Sequence, residues 1–369
     1  MKTVSVPSSL ANTVNTQVKP LAVAIRLGFI GLLVSNVTHA GDAPNPAIQA
    51  TLPAISVEAT RERETPTGPV SGYVAKRAIT GTKTDTPITE IPQAISVITK
   101  DELDDRGALS VTEALRYVPG IASQYHGTET RGQDDWINLR GFSGYGTSLF
   151  LDGLRMNTDA AAFASQRSEA YGLERIEVLR GPTSVLFGKG DAGGIVNRVS
   201  KRPNAEATRE FEVKLGNRNR RQIAADLGGQ LDGQGDVLYR VVGVAYGADT
   251  QDRYRDGSAV DDTRMYLAPS ITWKPNGTTS VTMLAEAMRD RNKGFAWRYT
   301  APGASNRKDA SILVGEPRYS GFDHNQFSVG YVAEHRINDA WTVRQHTRIS
   351  QVDIIYRRIS ATGLDDTGT

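Results

Sequence analysis

Three glycines near the middle of the chain have the spacing of a nucleotide-binding motif. Gly188, Gly190 and Gly193 match the pattern Gly-x-Gly-x-x-Gly, in which a tight turn and the N-terminus of the next helix hold a pyrophosphate. Here a β-prone run, Ile195 to Val199, follows the glycines, and Pro182 with Gly188 favours a short helix before them. The predicted order of helix, glycine loop and strand is the reverse of a dinucleotide site. The pattern therefore predicts a backbone turn and argues against a nucleotide-dependent oxidoreductase.

Residue types that support other chemistry are scarce. The chain has no cysteine, which excludes disulfides and any metal site built on thiolates. The histidines show no spacing typical of metal ligands, and we expect them in loops or on strand faces. They are His39, His126, His324, His335 and His346. The residues alone offer no catalytic or metal-binding set.

The N-terminus predicts export. Residues 1–26 are basic, an apolar run extends from Leu27 to Val37, and Thr38-His39-Ala40 offers a small-residue cleavage site, so residues 1–40 are expected to be a secretory signal peptide. The apolar run is too short to span a bilayer. Removal of residues 1–40 lowers the formal net charge of the chain from +2 to −1, because these residues include three basic side chains and no acidic one. A nearly neutral mature chain gives no support for a nucleic-acid partner.

Two different regions follow the predicted signal. Residues 41–72 are rich in proline and are expected to form a flexible tether. Within it, the β-prone segment Ile55-Ser56-Val57-Glu58-Ala59 suits capture at the edge of a partner's sheet, although spacing alone leaves a plain linker open. Residues 73–203 predict a mixed α/β domain, with a strand near Ala94–Ile98 and a helix that starts at a capping box, Ser110 to Glu113.

The second half of the chain alternates apolar and polar residues with a period of two. From Arg209 onward this pattern leaves room for about seven strands of nine to eleven residues. Tight turns are predicted at 232–236, 275–277 and 338–340, and longer connections at Thr250–Asp262 and Asn292–Asn325. Alternating short and long connections are typical of outer-membrane barrels. Alternation of side chains alone also occurs in soluble β-sandwiches.

Several motifs occur in order along the chain and resemble one family. They are Gln93-Ala94-Ile95-Ser96-Val97-Ile98-Thr99, Glu113-Ala114-Leu115-Arg116-Tyr117-Val118-Pro119-Gly120, Leu139-Arg140-Gly141-Phe142, Leu151-Asp152-Gly153-Leu154-Arg155 and the run from Arg180-Gly181-Pro182 to Pro203. They resemble the plug of TonB-dependent siderophore receptors, most closely the ferrichrome-type hydroxamate branch. The resemblance covers residues 52–358. It implies an α+β plug domain (73–203), followed by the first strands (204–369) of an antiparallel transmembrane β-barrel, which has 22 strands in that family.

The resemblance also implies a function and partners. Such a receptor lies in the outer membrane of Gram-negative bacteria and takes up a ferric siderophore, here expected to be a hydroxamate. The segment Ile55–Ala59 would be the TonB box, with the box and the plug facing the periplasm. TonB, working with ExbB and ExbD, would supply the energy. The siderophore is cargo, so no cofactor and no enzyme activity are expected. Contact with outer-membrane lipid and a monomeric state are also implied.

Individual residues take roles from the same resemblance. Contact with the siderophore is implied for Arg131, Tyr145, Phe163, Phe295 and Trp297. For Phe295 and Trp297, aromatic residues of a loop or membrane girdle are the alternative. Arg140 and Arg180 match arginines of a plug–barrel ion-pair cluster, whose carboxylates in the family lie later in the barrel than this chain reaches. Ordinary strand-end arginines are the alternative there.

Seven strands are too few to close a barrel around a plug of roughly 130 residues, because barrel diameter grows with strand number. An open sheet in lipid would also leave unpaired edges. We therefore expect the chain to be the N-terminal part of a longer receptor, incompetent for transport as it stands. The alternative is a soluble periplasmic module that resembles a plug and interacts with TonB.

Overall fold

The structure, a computed structural model, describes residues 64–123, 137–143, 148–156, 165–188, 190, 192–254, 256–294, 312–313, 315–357 and 359. These residues form two bodies. The first is a mixed α/β body whose last strand ends at Ser200, and the second is a long antiparallel sheet that begins at Thr208. No helix within these ranges is both long enough and apolar enough to cross a membrane.

The first body, called the plug below, is built from short elements. Its strands are β1 (Arg77–Ala78), β2 (Thr86–Pro87), β3 (Ala94–Thr99), β4 (Ile121–Ala122), β5 (Asn138–Leu139), β6 (Phe142–Ser143), β7 (Leu149–Leu151), β8 (Leu154–Arg155), β9 (Leu173–Arg180) and β10 (Gly194–Ser200). Its α-helices are α1 (Lys100–Asp105), α2 (Val111–Ala114) and α3 (Ser184–Phe187), and 3-10 turns lie at Ile88–Glu90, Leu115–Tyr117 and Ala170–Gly172. The strand predicted near Ala94–Ile98 is confirmed.

Five of these strands form the central sheet of the plug, in the order β3–β9–β10–β7–β8. β10 runs parallel to β7, and the other neighbours are antiparallel. Alternate residues of β9 point to opposite faces. Ile176 and Val178 therefore join the main apolar cluster with Leu103 of α1, while Leu179 packs with Phe150 on the other face.

The capping box predicts the start of α2 correctly. Ser110 is the N-cap, and its hydroxyl accepts a hydrogen bond from the backbone N–H of Glu113 (3.2 Å). The Glu113 carboxylate in turn accepts from the backbone N–H of Leu109 (2.8 Å), one residue before the N-cap. Side chains thus accept two of the backbone N–H groups at the helix start.

The glycine loop has the predicted order of helix, loop and strand. α3 ends at Phe187, its C-cap residue Gly188 has a φ of 69°, and β10 begins at Gly194. The helix starts two residues later than Pro182 suggested, with Thr183 as its N-cap. A side chain on Gly193 would overlap the carbonyl oxygen of Leu139. Glycine is required there because the backbone of another strand lies against it, and no phosphate needs to be held.

The second body, called the wall below, is one sheet. Its strands are β11 (Thr208–Leu215), β12 (Arg221–Gln230), β13 (Val237–Tyr254), β14 (Ala259–Asn276), β15 (Thr279–Asn292), β16 (Ile312–Leu313), β17 (Gly321–Arg336) and β18 (Thr342–Arg357). The order is β11–β12–β13–β14–β15–β17–β18, each antiparallel to the next, with the short β16 parallel to β13. The prediction of about seven membrane-type strands is confirmed.

Side chains of the wall alternate between an inward face, which contacts the plug, and an outward face. The inward face carries buried charges such as Asp226, Arg240 and Asp290. The outward face carries large exposed apolar side chains, among them Phe211, Ile223, Leu267, Ile271, Trp273, Met283, Phe327 and Ile349. A polar inner face with an apolar outer face is typical of membrane barrels. A soluble sandwich has its apolar side chains inside.

The connections of the wall agree with the prediction apart from one, and the long connection predicted at Asn292–Asn325 matches the distance from the end of β15 at Asn292 to the start of β17 at Gly321. Tight turns join β12 to β13, β14 to β15 and β17 to β18, as expected. The predicted long connection Thr250–Asp262 is wrong, because β13 and β14 stay paired as far as Arg253 and Ala259. Only residues 255–258 join the two strands. The polar composition of this stretch concealed strand pairing that resumes at Arg253 after an irregularity beyond Asp249.

Gly193→Ala should destabilise the plug by about 2 kcal/mol, because the new Cβ would force the strand away from Leu139. Gly277→Ala is the matched control: its Cβ would lie in open space, and the change should stay below about 0.5 kcal/mol. Urea unfolding of the purified protein in detergent, followed by tryptophan fluorescence, measures both. Equal stability of the two variants would contradict the role of Gly193.

Candidate functional site at the interface of plug and wall

Charged side chains are buried on the plug where it meets the wall. β9 alone contains Glu174, Arg175 and Glu177, none of them more than 2% exposed. The segment before it, Ser165–Glu169, consists entirely of buried polar residues. Burying such groups is costly unless each one has a hydrogen-bond or ion-pair partner. Partners for most of them come from the inward face of the wall.

The first group of contacts joins Ser165–Glu169 to the wall, and we call this segment with its wall partners the clasp. The backbone of Arg167 is held at both ends by Gln326 of β17, whose side chain accepts from the N–H and donates to the carbonyl, each at 2.8 Å. Gln166 donates to Glu286 of β15 at 2.9 Å. The ring Nε2 of His324 lies 3.0 Å from the carbonyl oxygen of Ser165.

Three charges complete the clasp around Asp290 of β15. Arg264 of β14 contacts both carboxylate oxygens of Asp290, at 2.5 and 2.8 Å, and its remaining nitrogen donates to Glu169 at 2.8 Å. Arg167 of the plug also pairs with Asp290. The four side chains are almost completely buried. Two arginines and two carboxylates thus neutralise one another across the interface.

A second cluster lies around Arg240 of β13. Its guanidinium donates two parallel hydrogen bonds to Asp226 of β12, each 2.8 Å long, and a third of 3.1 Å to Glu174 of the plug. Lys201, just after β10, lies 2.8 Å from Asp226 and 4.1 Å from the centre of the Tyr171 ring. Burial lowers the pKa of Lys201, although the charge of Asp226 opposes this shift.

A third cluster lies around Asp152. Asp152 and Gly153 have φ values of 52° and 80°, as a type I′ turn requires, and they join β7 to β8. The carboxylate accepts from Arg348 of β18 at 2.6 Å, from Arg202 at 3.3 Å, and from the backbone and hydroxyl of Ser200 at 2.9 and 2.8 Å. Burial alone would raise the pKa of Asp152, but the two arginines and the hydrogen bonds outweigh it and hold the pKa well below its ordinary value.

A fourth feature lies at the start of the described chain. Residues 64–69 form a strap over the plug. The fully buried Arg175 donates to the carbonyl oxygens of Thr65 (2.8 Å) and Gly68 (2.7 Å) of this strap, and to that of Arg77 (3.0 Å). The strap borders a polar cavity of about 560 Å³ between plug and wall, whose lining includes Arg202, Arg344 and His346. Arg175 therefore attaches the chain that follows the predicted TonB box to the plug sheet.

This arrangement can hold two bodies together, and it offers little for covalent chemistry. Among the described residues, no three acidic, histidine or cysteine side chains form a group that could hold a metal ion. The buried carboxylates that join plug and wall pair with arginine or lysine, except Glu286, which accepts from Gln166 and Gln326. Contacts of this kind are directional and can be exchanged for water one at a time.

Most residues predicted to form functional sites lie outside the described part of the chain. These are Ile55, Ser56, Val57, Glu58, Ala59, Arg131, Tyr145, Phe163, Phe295 and Trp297. Arg180 is described, and it donates to the carbonyl oxygen of Pro119 (3.2 Å) and the hydroxyl of Ser96 (2.9 Å). Arg140 is exposed, with a φ of 49°, and its backbone N–H donates to Gly120 (2.8 Å). Ion pairs of Arg140 and Arg180 with the barrel stay a prediction.

Sequence reasoning missed the three charged clusters. On each wall strand, the charged residues of these clusters alternate with the apolar residues that face outward, as Asp226 does between Ala225 and Leu227. Because the apolar residues face outward, charged residues such as Arg240 and Arg264 at the alternate positions face the plug. The alternation in the sequence therefore could have predicted these inward charges. On the plug, Asp152 lies in one of the recognised motifs, but nothing nearby in sequence indicates Arg348 as its partner.

Comparison with known proteins agrees with this architecture. Residues 87–195 match the model of the TonB-dependent receptor plug domain. The chain is 35% identical over 299 residues to the ferrichrome outer membrane transporter/phage receptor of Escherichia coli, covering 78% of this chain and 38% of that protein. It is 34% identical over 321 residues to the ferrioxamine B receptor of Salmonella typhimurium, covering 85% and 44%. It is 33% identical over 328 residues to the metal-pseudopaline receptor CntO of Pseudomonas aeruginosa, covering 88% and 43%.

Solved structures show the same fold. The siderophore receptor PiuA from Acinetobacter baumannii superposes with a TM-score of 0.65 at 21% identity, covering 79% of this chain and 40% of that one. The ferripyoverdine receptor of Pseudomonas aeruginosa gives a TM-score of 0.66 at 23% identity, covering 76% and 37%. A plug followed by antiparallel strands is common to them.

The chain therefore belongs to the TonB-dependent receptors, as its motifs predicted. Within that family it is similar to the N-terminal part of receptors for hydroxamate siderophores, which are transport proteins of the outer membrane. It spans about two fifths of the length of these relatives, between 38% and 44%.

Asp152→Asn should weaken the attachment of plug to wall, by about 3 kcal/mol at pH 7, because it leaves buried arginines without their charge partner. The pKa of Asp152 is depressed in the folded protein. Its ion pairs therefore stabilise the fold above the ordinary pKa of about 3.9, and this contribution is lost as the pH falls through the lower folded pKa. The difference between wild type and variant should shrink in acid.

Urea unfolding in detergent at pH 7 and pH 3 measures this effect. Asp85→Asn is the control, since its pair with Arg77 is partly exposed to water and should contribute less than about 1 kcal/mol. An Asp152→Asn penalty that is the same at both pH values would show that charge has no part in it.

Proposed function

We propose that the protein is an outer-membrane receptor that takes up a ferric hydroxamate siderophore and is energised by TonB. The observation that carries this proposal is the plug held against the inner face of an apolar-backed wall by buried charged pairs. Similarity to the ferrichrome and ferrioxamine B receptors supports the substrate class. The exposed apolar face of the wall argues against the soluble periplasmic alternative, because such a face would be unstable in water.

In this proposal the ligand binds at the end of the plug from which the clasp descends. Arg131, Tyr145 and Phe163 belong to three segments that leave the plug between β4 and β5, between β6 and β7, and between β8 and the clasp. Arg131 would face the anionic hydroxamate oxygens around iron. Phe295 and Trp297, from the connection after β15, would add apolar contact area. The iron complex is cargo, and no bond within it needs to break.

The clasp would connect this binding end to the wall. Phe163 lies two residues before Ser165, whose carbonyl contacts His324. A ligand that moves the segment around Phe163 would therefore act directly on the buried pairs of Arg167 and Glu169. Such a shift needs only that the ligand favours one of two arrangements of these contacts.

The strap would connect the other end of the plug to TonB. In this proposal Ile55–Ala59 pairs with an edge strand of TonB in the periplasm, driven through ExbB and ExbD. Only four residues lie between Ala59 and Glu64, so a pull on the box would be transmitted to the strap through a very short segment. The hydrogen bonds of Arg175 to the strap would be the first strong contacts to oppose this pull. Breaking them would open the polar cavity between plug and wall.

Uptake by the native gene tests the function. Expressed from its full-length gene in an Escherichia coli strain without hydroxamate receptors, the receptor should restore growth on iron-limited medium with ferrichrome or ferrioxamine B. Val57→Pro should abolish growth while siderophore binding is retained, because proline removes a backbone donor that strand pairing needs. Val57→Ala is the matched control and should transport normally. Growth of the Val57→Pro variant equal to that of Val57→Ala would refute TonB pairing at this segment.

Arg175→Met should loosen the strap. Two charge-assisted hydrogen bonds to Thr65 and Gly68 are lost, each worth about 1 kcal/mol, so amide exchange of residues 64–70 should accelerate roughly 30-fold. Arg77→Met removes a neighbouring arginine whose side chain pairs with Asp85 and does not hold the strap. Hydrogen–deuterium exchange with mass spectrometry compares the two. Equal exchange in both variants would show that Arg175 is not the attachment.

A further inference from the structure

A chain of polar contacts inside the plug holds Glu177 of β9 in one orientation. Its Oε2 atom accepts a hydrogen bond from the hydroxyl of Thr80. The same hydroxyl oxygen accepts from the side-chain amide of Asn197 of β10 at 2.8 Å, and the amide oxygen of Asn197 accepts from the backbone N–H of Gly153 at 2.8 Å. Glu177, Thr80 and Asn197 are at most 2% exposed. The carboxylate is therefore fixed through one oxygen, which leaves Oε1 for another donor.

Arg175 lies beside this carboxylate without bonding to it. Arg175 and Glu177 are two residues apart on β9 and therefore point to the same face. The distance from Nη1 of Arg175 to Oε1 of Glu177 is 3.8 Å, too long for a hydrogen bond. The Nε–H group of Arg175 and the Oε1 atom of Glu177 are both buried, and within the described part of the chain neither has a hydrogen-bond partner. An unused donor and an unused acceptor thus lie side by side, although buried groups of this kind normally pair.

The strap explains why this pair does not form. Nη2 of Arg175 donates to the carbonyl oxygens of Thr65 and Gly68, so the guanidinium is held toward the strap. Another nearby carboxylate, that of Glu64 at 4.0 Å, belongs to the strap itself. Removing the strap would leave the guanidinium without these contacts, and a buried unpaired charge is costly. Glu177 is a carboxylate that would stay within reach.

We propose that Arg175 is a switch with two partners: it holds the strap while the strap is docked, and it pairs with Glu177 when the strap leaves. The new pair replaces the lost contacts with a charge-assisted hydrogen bond, so the strap can leave without stranding a buried charge. Thr80 already orients the carboxylate, so little rearrangement is needed. The inference rests on the proposed function only in assigning removal of the strap to TonB.

This exchange of partners makes release of the strap depend on pH. Burial raises the pKa of Glu177 while the strap is docked, although the hydrogen bond from Thr80 and the charge of Arg175 oppose this shift. Direct pairing with Arg175 in the released form would lower the pKa, because an adjacent positive charge favours the carboxylate. The docked form therefore holds the proton more tightly, and its advantage is lost as the pH rises through the raised pKa. Release should increase with pH.

The other charged groups around the pair do not give the same effect. Glu64 faces Arg175 from the strap, and a charge on Glu64 would favour the docked form, which is the opposite sign. The side chain of Arg77, from β1, is paired with Asp85. The neighbours of Arg175 and Glu177 in register on β3 and β10 carry no charge; they are Thr99, Val97, Val199 and Asn197. Strap release that increases with pH would therefore report on Glu177.

Hydrogen–deuterium exchange of the purified protein in detergent tests the switch without siderophore or TonB. Exchange of residues 64–70 is followed at pH 5 and pH 8, and each rate is divided by the intrinsic amide exchange rate at that pH. The corrected opening of the wild-type strap should rise roughly tenfold, as a difference of about one unit between the pKa values of the two forms would give. Glu177→Gln keeps the shape of the side chain but cannot ionise. Its strap should open equally at both pH values, and less than the wild-type strap at pH 8.

Two further variants complete the test. Asp85→Asn is the matched control, because it changes a partly exposed carboxylate of the plug that contacts Arg77, and its strap should respond to pH as the wild type does. In an Arg175→Met background, Glu177→Gln should cause no further change, since the switch is already absent. The proposal is overturned if the wild-type strap opens equally at both pH values, a result that needs no variant, or if Glu177→Gln keeps the wild-type response. A failure of siderophore uptake would not affect this assay.

Discussion

The ion pair between Arg264 and Asp290 shows the constraint on which this molecule depends. Both side chains are on the wall, yet their environment is completed by Arg167 and Glu169 of the plug. Removed from water, any one of these charges would be prohibitive without the others. The wall therefore cannot bury its inner face favourably until the plug is in place, and the plug cannot bury Ser165–Glu169 without the wall. Folding of the two bodies is therefore coupled by electrostatics, in addition to the apolar packing of Tyr171 against the wall.

Polar contacts of this kind can hold the plug in place and can also be broken one at a time. An apolar interface would hold the plug through area that is released only when the whole surface separates, whereas the clusters around Asp152, Arg240 and Asp290 consist of separate contacts. Each can be replaced by water in turn as the cavity fills. Apolar packing also crosses the interface, where Tyr171 of the plug contacts wall residues such as Val242 and Tyr266. Other apolar groups lie in the plug core around Ile176 and on the outward face of the wall.

Local patterns predicted most of the architecture. The capping box at Ser110, the order of elements around Gly193 and the seven alternating strands depend on residues close in sequence, and all are confirmed. The pairing of β13 with β14 beyond Thr250 was missed because apolar alternation ends where the apolar band ends, while the backbone ladder continues among polar residues. The partners of Asp152 were missed for another reason. Arg348 is 196 residues away, and only the closed packing of plug on wall brings them together.

The extended hairpin of β13 and β14 has a consequence for what can attach to this protein from outside. Arg221, the first residue of β12, pairs with Gly247, which pairs with Thr263 of β14. Arg253 pairs with Ala259 beyond an irregularity after Asp249, so β14 continues four residues past that level, roughly 14 Å at about 3.4 Å per residue. A free loop of that length would have to be ordered by whatever binds it. A hydrogen-bonded ribbon is already ordered, so an antibody against its tip at Asp256 and Gly257 loses little conformational entropy on binding. The rigid hairpin thus makes a good epitope out of a stretch whose composition is that of a loop.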